Sequence, residues 1–309
     1  MKKEIVTIGE ALIDFIPLQK GVPLSEVVSF ERNAGGAPLN VAANVAKRGG
    51  KSSIITQLGN DSFGDYIFDV IKKSGVGTDK IFRTSEANTA LAFVSLSSDG
   101  NRNFSFYRNP CADLLLESEK ITDEMFDDCY ALHFCSVDLI ESPAKHAHKR
   151  AIKLAKENGA IISFDPNVRL PLFREPSQCY DAIWEFMPYA DILKVSDDEL
   201  EFIFGTDKTE DVVRRVMDMG VRMLLITLGA DGACLFTNEL NVKIGGIDVQ
   251  VVDTTGAGDS FIGSFLYALS EKGRDADVFD KLSEGEAREI LEFANRCAAN
   301  TTTQKGAIV

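Results

Sequence analysis

The chain has little with which to do histidine, thiol or metal chemistry. It holds three histidines in 309 residues, and His146 and His148, two apart on a helix-like segment, cannot face one ion together, while His133 sits in an apolar run. The six cysteines, Cys111, Cys129, Cys135, Cys179, Cys234 and Cys297, show no C-x-x-C pairing, which argues against a zinc site or a disulfide framework and leaves buried thiols. No apolar run approaches the roughly 20 residues of a membrane helix. The start, Met1-Lys2-Lys3-Glu4, leads into a short strand and an acid and lacks the apolar stretch of a signal peptide. Positive charge is also in deficit: the net charge of −14 opposes non-specific binding to nucleic acid or anionic membranes, so any nucleotide site must use a local field. These absences together imply a cytoplasmic protein with no nucleic-acid or membrane partner.

What is present is ordinary for a soluble globule, 45% hydrophobic and 26% charged, with no repeat and no low-complexity segment. The chain organises around Asp253-Thr254-Thr255-Gly256-Ala257-Gly258-Asp259-Ser260. Before it, Ile247 to Val252 alternates apolar and polar side chains and predicts a strand; after it, Phe261, Phe265, Leu266 and Leu269 share one face of a predicted helix, Phe261 to Ser270. A glycine turn entering a helix collects unpaired N–H groups and the positive end of the macrodipole, and Gly256 and Gly258 let a phosphate approach that backbone. An acid repels a phosphate, so Asp259 in the first turn makes sense as a base that takes the proton of an attacking hydroxyl while the N–H groups neutralise the transferred phosphoryl group. A Rossmann fingerprint would need glycine at Phe261, and the P-loop pattern is absent. Taken alone, the stretch serves equally well as a structural turn with Asp259 as a capping acid.

The rest of the chain bears on that choice. Strand and helix patterns alternate: strands Ile5 to Ile8, Ser53 to Leu58, Ala131 to Cys135, Ile161 to Phe164, Ile192 to Val195 and Met223 to Thr227, with helices Val41 to Arg48, Phe63 to Lys73, Ser142 to Asn158, Ser177 to Met187, Asp197 to Phe204 and Arg288 to Thr301. This order implies an α/β fold, a doubly wound, mostly parallel sheet flanked by helices. Asp14 falls just beyond the first strand end, where such sheets bind ligands, and the strand ends Asp165 to Arg169 and Lys194 to Glu199 gather polar residues at the same kind of position. Asn33 to Asn40, with Gly35, Gly36 and Pro38, runs into a small-residue helix. Two segments break the rhythm. Gly21 to Arg32 reads as accessory β-structure, and Thr89 to Leu96 with Asn103 to Tyr107 reads as a hairpin turning at Ser97 to Asn101, so we expect a small β-sheet lid with Phe104, Phe106 and Tyr107 over a pocket.

In combination these residues resemble the ribokinase-like (PfkB-type) carbohydrate kinases, most closely the fructokinases among them. The resemblance spans nearly the whole chain and rests on Gly35-Gly36 with Asn40, Asp165-Pro166-Asn167, Thr227-Leu228-Gly229 with Gly232, the stretch Asp253 to Asp259, and Phe106-Tyr107-Arg108-Asn109-Pro110 with Ala112-Asp113. It implies one ribokinase-like domain over residues 1–309, with lid segments at about 12–32 and 88–108. It implies Asp259 as catalytic base, an anion hole of Gly256, Ala257 and Gly258, and a sugar site of Asp14, Gly35, Gly36, Asn40 and Phe106. ATP would meet Lys194, Thr227, Gly229, Gly232, Gly256, Gly258 and Asn295, with Mg2+ on the phosphates near Glu199 and a monovalent cation, K+, at Asp253 and Thr255. The chain departs from the family's N-x-x-E at Ser196, which puts a metal role for that position in question.

The implied reaction is ATP-dependent transfer of a phosphoryl group to a hydroxymethyl group of fructose. The alternatives are a 2-keto-3-deoxygluconate kinase, for which Arg108 and Arg169 would supply a carboxylate fork, another PfkB-type sugar or nucleoside kinase, and a non-catalytic sugar-binding regulator. An exposed lid sheet makes a homodimer the expected assembly.

Overall fold

The computed structural model describes residues 3–19, 21–96, 102–173, 175–273 and 277–307; the hairpin turn expected at Ser97 to Asn101 and the side chain of Phe104 lie outside the described residues. The strands form two sheets. The larger has nine strands: β1 (Glu4–Ile8), β4 (Ser52–Gly59), β5 (Ile81–Thr84), β8 (Cys129–Cys135), β9 (Ile161–Asp165), β10 (Ile192–Ser196), β11 (Met223–Thr227), β12 (Ala233–Phe236) and β13 (Asn241–Ile244), in the order β13-β12-β11-β10-β9-β8-β1-β4-β5. From β11 to β5 every pairing is parallel, and β12 and β13 add an antiparallel hairpin at one edge. β1, β4, β8 and β9 are buried along their whole length, as strands covered by helices on both faces must be.

The small sheet joins β2 (Leu12–Pro17), β3 (Phe30–Gly35), β6 (Leu91–Leu96) and β7 (Arg102–Tyr107) in the order β3-β2-β6-β7. Phe15 stacks on Phe93 with ring centroids 4.8 Å apart, and Phe30 and Tyr107 meet Phe93 edge-on, so the sheet carries its own aromatic cluster. The expected position of Asp14 is corrected here. It is not a loop residue beyond β1 but lies within β2, paired with Asn33, because the chain passes from β1 through Gly9-Glu10 straight into the second sheet.

The helices are α1 (Ala37–Lys47), α2 (Ser62–Lys73), α3 (Pro143–Glu157), α4 (Pro176–Phe186), α5 (Asp197–Phe204), α6 (Thr209–Asp218), α7 (Ala257–Ser270), the single turn α8 (Val278–Lys281) and α9 (Glu284–Thr302). Val41 and Val45 of α1, Phe261, Phe265 and Leu266 of α7, and Ile290 and Leu291 of α9 form one core with Ile5, Ala131 and Leu225 of the sheet. On the opposite face Ala147, Ala151, Ile183, Phe186 and Val216 pack on Leu132, Phe134 and Phe164. The Phe134 and Phe164 rings stack at 4.6 Å, and Phe134→Ala would cost about 3–5 kcal/mol through lost burial and the cavity left behind. Among the described residues no helix is long and apolar enough to cross a membrane.

Two further expectations are corrected. Ile247 to Val252 is not a strand: it runs irregularly after β13, with Val251 57% and Val252 56% exposed. The helix after the glycines begins at Ala257 rather than Phe261, which keeps Asp259 in its first turn as expected. Helix α6 had no counterpart in the sequence reading.

Candidate active site

Strand order reverses at β1, whose neighbours are β8 on one side and β4 on the other, and a crevice opens where parallel strands diverge in this way. A cavity of about 340 Å³ lies there, a size suited to one small ligand. Its wall is built from strand ends: Glu10 after β1, Val137 after β8, Asp165 closing β9 with Asn167 and Arg169 beyond it, and Lys194 in β10. The small sheet adds Leu12, Asp14 and Phe106, α1 adds Gly36, Ala37 and Asn40, and the α7 entrance adds Thr254, Thr255, Gly256, Gly258 and Asp259.

The α7 entrance explains its own glycines. Gly256 is the N-cap with φ 75°, a left-handed conformation that an L side chain resists, and a Cβ there would come 2.4 Å from Cβ of Ala307. A Cβ on Gly258 would stand 3.1 Å from Lys194 Nζ. The N–H of Ala257 donates to the Thr254 carbonyl at 3.2 Å and that of Ser260 to the Gly256 carbonyl at 2.8 Å. Gly258 and Asp259 are then first-turn residues whose N–H groups fall outside the helical ladder. Ala257, expected in the anion hole, is thus tied into the turn and is not among the residues lining the cavity.

Asp259 is 9% exposed, and its Oδ2 accepts a hydrogen bond from Asn40 Nδ2 at 2.8 Å. Burial pushes its carboxyl up to about 6; the Asn40 bond pulls the other way, the Asp165 charge adds to the rise, and Lys194 and Arg169 oppose it. Asn40 Oδ1 is buried with no hydrogen-bond partner, an acceptor aimed at nothing the protein supplies. Lys194 Nζ pairs with Asp165 Oδ2 at 2.9 Å, and although burial works against the charge, the carboxylates of Asp165 and Glu199 hold the ammonium above its usual range. Glu10 is 3% exposed and accepts from Ala37 N–H at 2.9 Å; burial, then the Asp138 charge, raises its carboxyl to about 8.

The structure brings together Asp14, Gly36, Asn40, Phe106, Arg169, Lys194, Thr255, Gly256, Gly258 and Asp259. Gly35 closes β3 opposite Leu12, one residue from this wall. Thr227 ends β11 with its hydroxyl on the Val195 carbonyl, Gly229 and Gly232 lie in the turn between β11 and β12, and Asn295 of α9 donates to the Gly245 carbonyl at 3.1 Å; none of these four lines the cavity. Arg108 does not line it either. Its guanidinium is buried between Asp113 and Asp138 at 2.5 Å from each, and this ion triad ties the end of β7 to the main body. Asp253 receives the Thr255 N–H and hydroxyl on Oδ1, at 2.9 and 2.7 Å, and the Gly306 N–H on Oδ2 at 3.1 Å.

Glu199 forms a capping box with Ser196, and both its oxygens accept backbone N–H groups, from Val168 at 2.7 Å and Ser196 at 2.9 Å. Among the described residues no cluster of three or more His, Cys, Asp or Glu is arranged to hold a metal ion, and all six thiols are free, five of them buried. Sequence reasoning passed over Glu10 and Asp138. Glu10 had a signal, an acid directly after a fully apolar strand; Asp138 reads as a loop acid, and its partner Arg108 is 30 residues away.

A profile described as "pfkB family carbohydrate kinase" matches residues 2–309. A curated relative, "Probable fructokinase-5" of Arabidopsis thaliana, is 44% identical over 98% of this chain and 93% of its own length. A fructokinase from Xylella fastidiosa with bound ATP superposes with a TM-score of 0.90 at 36% identity, covering 100% of this chain and 94% of that one. A fructokinase double mutant from Vibrio cholerae O395, in fructose, ADP and potassium ion bound form, gives 0.87 at 31% identity over 100% and 96%.

Proposed function

Because this chain belongs to the pfkB family of carbohydrate kinases and is an ATP-dependent sugar kinase, we propose that its substrate is fructose and that Asp259 is the base of the reaction. The observation that carries this reading is Asp259 itself: a buried carboxylate at a helix entrance, fixed by Asn40, poised to be ionised at neutral pH and yet basic enough to take a proton. The hydroxymethyl oxygen of the sugar gives its proton to Asp259 as it attacks, and the Gly258 and Asp259 N–H groups with the Gly256 turn hold the phosphoryl group in transfer. Asp14 and the unpaired Oδ1 of Asn40 accept hydrogen bonds from sugar hydroxyls, with Gly35 and Gly36 shaping the wall and Phe106 closing it.

The residues proposed to hold ATP are Lys194, Thr227, Gly229, Gly232, Gly256, Gly258 and Asn295. Magnesium on the phosphates supplies charge neutralisation there; Glu199 fits it only through water, since its oxygens are committed to backbone donors. A potassium ion is placed beside the Asp253 and Thr255 loop on the support of the Vibrio cholerae relative; both Asp253 oxygens already accept hydrogen bonds, so the ion would have to share them with those donors. Residues 1–309 would form one domain with the small sheet, about 12–32 and 88–108, as its lid. The chain would pair as a homodimer, for which the exposed Val28 and Tyr107 beside and on that sheet are the support, in a cytoplasmic location, in keeping with six free thiols.

Of the two guanidinium groups that a keto-acid substrate would call for, only Arg169 lines the cavity, which already holds Asp14, Asp165 and Asp259; a neutral polyol suits it better. ADP release across a panel of sugars and nucleosides tests this. Fructose is expected to lead 2-keto-3-deoxygluconate in kcat/KM by about 10² or more. A higher value for the keto acid would overturn the substrate, and sugar binding without any ADP release would favour a regulator.

A further inference from the structure

Glu199 does more than cap its helix. Its Oε2 accepts from Ser196 N–H as a capping box requires, but its Oε1 accepts the N–H of Val168 at 2.7 Å, across 31 residues of sequence. Val168 sits between two cavity residues. Before it, Asn167 has φ 46°, the one positive value at a non-glycine among the described residues, and its N–H is held by Asp165 Oδ1 at 3.1 Å. After it, the Arg169 guanidinium returns to donate to the Val168 carbonyl at 3.0 Å. The Val168 residue is therefore gripped at its N–H by Glu199 and at its carbonyl by Arg169, and Asn167 and Arg169 both face the ligand cavity. Asparagine tolerates the left-handed region better than other residues with a Cβ, and here two carboxylates bond the N–H groups of Asn167 and Val168 and hold it there.

We propose that Glu199 is a positioning residue for the sugar end of the cavity: by fixing Val168 it sets the Arg169 side chain, so sugar affinity depends on Glu199 with no metal ion or nucleotide present. This rests on the sugar-kinase reading of the cavity. A carboxylate that acted only toward magnesium would leave binding of the sugar alone untouched, so the two roles separate in one measurement.

The experiment is calorimetric titration of the full chain, in EDTA and without nucleotide, with whichever sugar shows the highest kcat/KM in the substrate panel, so an error over fructose does not disturb it. Glu199→Ala is expected to weaken sugar binding about tenfold, because the charge-assisted bond to the Val168 N–H is lost along with the Ser196 cap. Glu199→Gln, which keeps one acceptor oxygen, should recover part of that loss and serves also if the alanine variant is unstable. In an Arg169→Ala background, Glu199→Ala should add nothing further. Sugar affinity within about twofold of wild type in both Glu199 variants, or losses that simply add in the double variant, would overturn the proposal.

Discussion

Asn40 Nδ2 donates to Asp259 Oδ2 at 2.8 Å, joining residues 219 positions apart, and this bond favours the ionised form of a carboxyl that burial, working against it, still raises to about 6. Activity that needs the free base should rise with pH through about 6 and level off above it. Asn40→Leu keeps the volume but removes the donor, so the acid limb of kcat/KM should move to higher pH. A limb that stays in place or moves down would show that Asn40 does not act on the base.

Asp259→Asn should cut kcat by about two or more orders of magnitude while sugar binding, followed by calorimetry, survives. A variant that retains most of its ADP release removes Asp259 from the base role.

The two glycines at the α7 entrance should fail differently. Gly256→Ala forces a side chain into φ 75° and against Ala307, and should lower stability to denaturant by about 1–3 kcal/mol. Gly258→Ala meets only the end of Lys194, so it should unfold at nearly the wild-type temperature yet lose kcat. Normal turnover by a folded Gly258→Ala would return the loop to a structural turn.

Glu10 keeps its proton to about 8 in the fold against 4.5 when free, so the folded state binds that proton more tightly. The stability this contributes is complete below about 4.5 and is lost as pH rises toward about 8. His133 and His148, lowered to about 3 and about 4, change stability mainly below 6.5, and Asp138 and Asp259, raised to about 6, are half titrated there and add to the fall only up to about 7. Between 6.5 and about 8 the melting temperature should therefore fall, and Glu10→Gln should flatten that stretch of the curve. An unchanged slope in the variant would assign the effect elsewhere.

Arg108→Ala should destabilise the fold by about 3–5 kcal/mol rather than alter the choice of sugar, since it strands Asp113 and Asp138 as buried charges. Urea titration measures the loss. A stable variant with altered sugar preference would restore Arg108 to the substrate site.

Features carried by local pattern were legible in the sequence. The strand and helix alternation gave the sheet and most helices, and the glycines with the following acid located Asp259 because that geometry is made by neighbours in the chain. Ile247 to Val252 misled because alternation describes a surface that fits a sheet without supplying a partner: the large sheet ends at β13, and the N–H groups of Val252 and Asp253 turn to the Thr302 carbonyl at 2.8 and 3.1 Å. Asp14 was misplaced by one element since nothing in Gly9-Glu10 announces a change of sheet. The bond from Arg108 to Asp138, the grip of Glu199 on Val168 and the Asn40 bond were invisible because each joins distant segments.

The glycine loop is held by residues 302–306, through the Thr302 carbonyl and the Gly306 N–H. On the ribosome Asn40 would wait roughly 10 to 40 s for Asp259 to be made, at the usual pace of synthesis. Even then the loop would lack its fastening until residues 302–306 were made and free to fold. A chain ending at residue 301 keeps α7 and nearly all of α9, so it should bury its sheet and resist protease there, yet leave the Asp253 to Asp259 segment open to cleavage. The glycine loop would thus be fastened only after the scaffold that carries it has formed.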